Sequence, residues 1–359
     1  MVIKKRIFWI FVALVMFFAM LFVFQRLLVP KYMSGVFEGR LIGEYYSADK
    51  SHDVIFLGDC EVFDNISPVA LWDNFGITSY VRGSAQQLVW HSYYLLEDLL
   101  QYETPKVVFY SVSPLKYGEP QSEAYNRLTL DGMRMSVPKL RAVNSSMTEV
   151  EHAITYVFPI LRFHDRWTEL SRDDFSYFFG GYGGERVSFN GYMLRADVKP
   201  KGFIPPGLPL PGYEFSEKCY EYLDKMTALC KENDIELILI KMPSLYPHWF
   251  DQWDTQMVEF AAENGLTYIN AIDLIDDIGL DFETDTYNGG IGLNVFGAEK
   301  LSIFLGKYLS DNYDITDHRF DPALNAIWNK KTHAYHDMKQ TQLVELEEHG
   351  EIKTFTFTP

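Results

Sequence analysis

From Ile7 to Phe24 the chain reads IFWIFVALVMFFAMLFVF, eighteen apolar residues without a break. As a helix this run is about 27 Å long, close to the roughly 30 Å hydrocarbon core of a bilayer. It is apolar on every face, which a soluble helix of this length rarely is. Lys4, Lys5 and Arg6 precede it. The positive-inside rule therefore puts the N-terminus in the cytoplasm and the body, residues 31–359, outside. A cleaved signal peptide has a shorter apolar region, about 7–15 residues, ending in a small-x-small site. Here Gln25, Arg26, Leu27 and Leu28 follow instead. Residues 1–30 are read as an uncleaved single-pass anchor that meets the cell membrane through residues 7–24.

The body alternates two other patterns. Short apolar runs at Asp53–Gly58, Thr78–Val81, Lys106–Val112, Ile235–Lys241 and Leu266–Asn270 predict buried strands. Helical spacing of apolar residues predicts helices over Gln87–Tyr102, Ser216–Asn233, Gln252–Asn264 and Phe296–Asn312. Strands alternating with helices predict a parallel sheet covered on both faces, with ligands at the carboxyl ends of its strands. Between residues 115 and 211 the alternation fails. This stretch is rich in Tyr, Phe, Arg, Gly and Pro and includes FFGGYGGE and IPPGLPLPG. It reads as a large insertion, either a lid or docking surface or decorative packing. After Asn312 the chain turns polar, with a weak helix near Asp321–Lys331 and a loosely held tail over 336–359. The extracytoplasmic domain is thus bounded at 31–335.

Composition narrows the class. The net charge is −17, and residues 1–31 carry +5, leaving −22 for the rest. So acidic a body argues against nucleic acid, which needs a basic face to displace counterions. Hydrophobic residues at 47% exclude a disordered chain. The three cysteines cannot all pair, and none has the paired spacing of a zinc site. No metal and no cofactor is expected.

The sharpest chemical feature is VIFLGDCEVF, residues 54–63, where a buried strand runs into Gly58-Asp59-Cys60. A thiol there projects from the carboxyl edge of the sheet, near backbone N–H groups that suit an oxyanion. It attacks a carbonyl if a base or positive field lowers its pKa. Otherwise it is a small buried apolar group, and Asp59 and Glu61 beside it favour that alternative. His248, in SLYPHW just after a strand, is the candidate base, or else a loop histidine packed on Tyr246 and Trp249. His91, early in a helix, is a further histidine near this edge. Arg127, Arg162 and Arg166 either line a groove for an anionic or sugar ligand or form local ion pairs.

The strand–Gly-Asp-x element resembles the first block of the SGNH/GDSL hydrolases, where x is the catalytic serine. Arg82-Gly83-Ser84 follows the second strand, where that family has an oxyanion glycine. Ser111-Val112-Ser113 follows the third, where it often has an asparagine. Residues 285–309, DTYNGGIGLNVFGAEKLSIFLGKYL, are similar to its last block, in which an Asp-x-x-His loop precedes Leu-Asn-x-x-Gly-Ala and a terminal helix. The likeness spans roughly residues 50–115 and 215–312. It implies a flavodoxin-like three-layer α/β fold, a doubly wound parallel sheet of SGNH type. The single anchor resembles the membrane-anchored branch, which includes the D-alanyl transfer protein of the teichoic-acid system and the alginate O-acetylation proteins. The resemblance implies esterase or O-acyl transfer chemistry on an envelope polysaccharide or teichoic-acid-like polymer, beside a multi-spanning membrane O-acyltransferase. Cys60 takes the nucleophile position, and Asp59, Gly83, Ser111, Ser113 and Asn294 fall around the pocket. The histidine position falls near Gly292 and the acid position near Asn288, so the template lacks its base. Two readings follow: a cysteine enzyme served by His248, or a pseudoenzyme that binds an acylated glycan or scaffolds an acyltransferase complex.

Overall fold

Five parallel strands form one sheet in a computed structural model that describes residues 2–30, 39–176, 178 and 187–355. They are β1 (Val54–Gly58), β2 (Ser79–Gly83), β3 (Val107–Ser111), β4 (Glu236–Lys241) and β5 (Thr267–Asn270), in the order β2-β1-β3-β4-β5. β1, β3 and β4 are apolar runs because the middle of the sheet is buried on both faces, whereas β2 (SYVRG) carries buried Ser79 and Arg82 and the edge strand β5 (TYIN) is only partly buried. Alternate residues feed two separate cores. Ile55, Leu57, Val108, Tyr110, Leu237 and Leu239 pack with the helices Val89–Leu99, Glu217–Glu232 and Asp251–Asn264. Val54, Phe56, Val107, Phe109, Ile238 and Ile240 pack with the helices Cys60–Asn65, Pro68–Phe75 and Val295–Asn312. Strand order reverses at β1, so the carboxyl ends of β1 and β3 flank the switch point where such sheets bind ligands.

The N-terminal helix, Val2–Leu28, is long and apolar enough to cross a membrane, and none of its apolar window is buried in the protein. Between β3 and the helix Glu217–Glu232 lie several short helices and irregular chain. The FFGGYGGE stretch, apart from Phe178, lies outside the described residues. Part of this segment is structural. Phe189, Tyr192, Leu194 and Ala196 enter the second core. The Val81 N–H donates to the Asn190 carbonyl, and Asn190 Nδ2 donates to the Ser79 carbonyl. These contacts cover the outer edge of β2, which would otherwise expose unpaired backbone groups.

The C-terminal region departs from the expectation of a loose tail. Residues 322–349 form one helix, Pro322–His349, capped by the Asp321 carboxylate; it begins as the helix expected near Asp321–Lys331, and residues 336–349 of the expected tail are its second half. Its Trp328 stacks on Trp72, and its Tyr335, Met338 and Gln342 are buried. Gln342 accepts the Ala196 N–H and donates to the Leu194 carbonyl.

Candidate functional site

Where β1 ends, the chain enters a helix at once. Asp59 is its N-cap and accepts the Glu61 N–H at 3.1 Å, and Cys60 is its first residue. Glu61 and Asp64 are then carried on the same short helix, with Asp64 one turn beyond Cys60. Gly83 closes the corner from β2. A Cβ there would lie 2.6 Å from Val62 Cγ2 and 3.2 Å from the Asp59 carbonyl oxygen, so only glycine allows this approach.

Glu61 is the centre of a buried charge cluster. Lys241, the last residue of β4, donates to both its carboxylate oxygens, at 3.0 and 3.1 Å, and also to the Met242 carbonyl. Ser113 Oγ donates to Glu61 at 2.5 Å. Ser111, by contrast, is buried with its hydroxyl unpartnered among the described residues. Burial lowers the Lys241 pKa, and Glu61 only partly offsets this. Burial also raises the Asp59 carboxyl to about 6, helped by repulsion from Glu61.

A second cluster lies one turn along. Tyr287 OH donates to Asp64 at 2.9 Å, and the Arg195 guanidinium sits over the Tyr287 ring at 4.7 Å. Asn65 Oδ1 accepts the Leu293 N–H at 2.8 Å. Through these bonds the loop 285–294 is clamped against the helix that carries Cys60. Within the loop, Asn288 Oδ1 accepts the Gly292 N–H and Thr286 Oγ1 donates to the Gly292 carbonyl. A Cβ at Gly292 would lie 2.9 Å from Tyr287 Cε1 and 3.2 Å from Asp64 Oδ2. Gly292 therefore faces the Cys60 helix, and a phenol and a carboxylate occupy the space beside it.

Burial raises the Asp64 carboxyl to about 7. The folded state thus holds this proton more tightly than the unfolded chain, whose value is near 3.9. The stabilisation is full below about pH 4 and is lost as the pH rises towards 7. Replacing Asp64 by Asn should leave stability unchanged near pH 4 and raise it increasingly up to pH 7. Chemical unfolding of both proteins across this range tests it. Parallel stability curves would show that Asp64 does not titrate there.

The thiol of Cys60 is mostly buried. Burial raises its pKa far above the ordinary range, and Asp59, Asp64 and Glu61 raise it further, against a weaker opposing effect of Lys116. No hydrogen bond reaches its Sγ among the described residues. His248 is exposed in the loop after β4. Its ring packs edge-on against Phe250 rather than Tyr246 or Trp249, and faces Gly207 of the inserted segment. No hydrogen bond, ion pair or ring contact joins it to Cys60 among the described residues. His91 is no substitute. It is buried, its Nδ1 accepts the Leu88 N–H, and burial lowers its pKa to about 3. Asn294 serves the fold: it caps the helix Val295–Asn312 and donates to the Asp197 and Thr284 carbonyls.

Arg127 and Arg166 of the inserted segment are engaged in local pairs. Arg127 bonds Glu123, Asp131 and Thr155 and stacks on Tyr156. Arg166 bonds both oxygens of Asp174. Sequence reasoning misses Glu61, Asp64, Lys241, Arg195 and Tyr287 as partners. The one available signal is a lysine ending an apolar strand, at the edge where ligands are expected.

No family model matches the chain, and no curated protein matches it. The class defined by the observations is therefore an α/β protein with a five-stranded parallel sheet and an apolar N-terminal helix.

Proposed function

We propose that the chain is a single-pass membrane protein of SGNH type, with a cytoplasmic N-terminus and an extracytoplasmic body, that no longer performs acyl transfer. It acts as a binding or scaffolding component beside a multi-spanning membrane O-acyltransferase that modifies an envelope polysaccharide or teichoic-acid-like polymer. The strand order, the apolar helix and the Cys60 corner support the assignment of type. The observation that carries the loss of catalysis is the surroundings of Cys60. Burial opposes ionisation of its thiol, Asp59, Asp64 and Glu61 oppose it further, and the position of the base is a glycine crowded by Tyr287 and Asp64. A nucleophile needs the reverse: a base within hydrogen-bond reach or a positive field.

A cysteine enzyme is the competing reading, favoured by one feature. Cys60 begins a helix at the switch point, with Gly83 packed beside it, as an oxyanion corner requires. Acetyl-ester hydrolysis by the full chain in detergent separates the two. The expected result is the same background rate for the natural protein and for Cys60→Ala, with binding of acetylated polymer retained in both. Turnover that vanishes in Cys60→Ala, and falls in His248→Ala, would establish the enzyme instead.

A further inference from the structure

The chain has seven tryptophans. Trp72, Trp90, Trp249, Trp253 and Trp328 are all buried in the body. The other two are Trp9, in the apolar N-terminal helix, and Trp167, in the inserted segment, exposed by 66% and 68%. Trp167 stands on a single helical turn, Arg166–Thr168, between the short helices Ile160–Phe163 and Arg172–Ser176. Both short helices pack against the N-terminal helix. Two hydrogen bonds fix the contact. Arg166 Nη1 donates to the carbonyl of Leu28, the last residue of the apolar helix, at 2.9 Å, and Arg26 Nε donates to the Phe178 carbonyl at 2.7 Å. Arg166 is held in place by the buried Asp174. Leu161, Phe175 and Ile154 nearby are also exposed large apolar side chains.

We infer that residues 154–176 form a collar seated in the outer interface of the bilayer, with Trp167 at headgroup depth and Leu161 and Phe175 against the upper acyl chains. The inference rests on the anchor reading above. If the apolar helix spans the membrane, Leu28 lies where the helix leaves the hydrocarbon. A segment bonded to its carbonyl then lies within the headgroup layer, roughly 5–7 Å deep on each side. Tryptophan is the residue that favours this layer, having an apolar ring and one N–H donor. Charge identifies the lipid. Residues 154–176 contain three arginines against four acids, so the contact is with the apolar part of a neutral lipid surface and does not depend on anionic headgroups. The collar fixes the tilt of the body relative to the membrane, which a single helix and a loop would leave free.

The test is tryptophan quenching in the full chain reconstituted into phosphatidylcholine bilayers with brominated acyl chains. The natural protein, Trp9→Phe, Trp167→Phe and the double variant are compared. Trp9→Phe should remain quenched, more by bromines near the headgroup end of the chains than by those near the methyl end, and equally at high salt. The double variant should lose nearly all quenching, because its five remaining indoles are buried in the body. Quenching of the natural protein that disappears in Trp9→Phe would show an inserted helix and a collar clear of the lipid. That outcome overturns the inference alone and leaves Trp167 for a protein partner. Absence of quenching in the natural protein would overturn the anchor reading, and the collar with it.

Discussion

Truncating Glu61 should destabilise the protein by about 3–5 kcal/mol, the usual cost of leaving one member of a buried ion pair without its partner. The side chains of Lys241 and Glu61 are exposed by only 1% and 6%, so water cannot replace the lost contact. In Glu61→Met the ammonium of Lys241 would retain the Met242 carbonyl and the edge of the Trp249 environment, with the ring centroid 5.9 Å away. Ser113 would lose its acceptor as well. Glu61→Met/Lys241→Met, which removes both charges, should be more stable than either single variant, since the desolvation of both ions is then avoided. The single variant should also carry a pH signature. With Glu61 gone, the folded pKa of Lys241 falls further below its unfolded value near 10.4. Between those two values the unfolded chain binds more protons, so stability rises with pH through that window. Chemical unfolding of the four proteins of the cycle in detergent provides both readouts. A double variant whose loss equals the sum of the single losses would mean that the two groups are not coupled.

This pair also explains how the sheet edge is built. A doubly wound sheet brings the ends of β1, β3 and β4 together at its carboxyl edge, and apolar runs alone would leave that edge greasy and open. Glu61 from the β1 side, Ser113 from the β3 side and Lys241 from β4 join in one network across it. The network satisfies polar groups at this edge that would otherwise be left to solvent.

Much of the fold is legible because burial on both faces writes the strands as plain apolar runs, VIFLG, VVFYS and LILI. The element after β1 is less so: Asp59 marks a helix start, but six residues are too few for a periodic signal. The last helix is legible only in its first part, near Asp321–Lys331, and its second half escapes detection for a different reason. Its buried face is a narrow stripe, Trp328, Tyr335, Met338 and Gln342, within 28 residues that are mostly polar, and one of the four is itself polar. Polarity reads as a loose tail where a thin stripe suffices for docking. The candidate site divides in the same way. Gly83 is singled out by the family resemblance, whereas Cys60 follows from local pattern, since it stands just after a strand. The charges that decide the chemistry do not, because Glu61 meets Lys241 across 180 residues and Asp64 meets Tyr287 across 223. His248 suits a base by its distance from a strand end, but its ring faces the inserted segment. Only the course of that insertion reveals this.

Thiol labelling of Cys60 should be at least about a hundredfold slower at pH 8 than that of an exposed cysteine, because only the thiolate reacts and each unit of pKa rise removes nine-tenths of it. Burial is the main cause of the rise, with Asp59, Asp64 and Glu61 adding to it. The helix N-terminus at which Cys60 sits acts in the opposite direction, but a partial charge at one short helix is weak against three nearby carboxylates. Peptide mapping after alkylation reads Cys60 apart from Cys219 and Cys230, both buried in the core. The rate should climb tenfold per pH unit without a plateau through pH 10, whereas an activated nucleophile levels off near or below neutrality. Asp64→Asn should accelerate labelling only several-fold, since it removes one repulsion and leaves the burial untouched. A plateau at or below pH 8 would mean that some group supports the thiolate, and the proposed loss of catalysis would fail. A rate that rises without limit would instead tie the chemical silence of the corner to the burial of its thiol, with the carboxylates of Asp59, Asp64 and Glu61 adding to it.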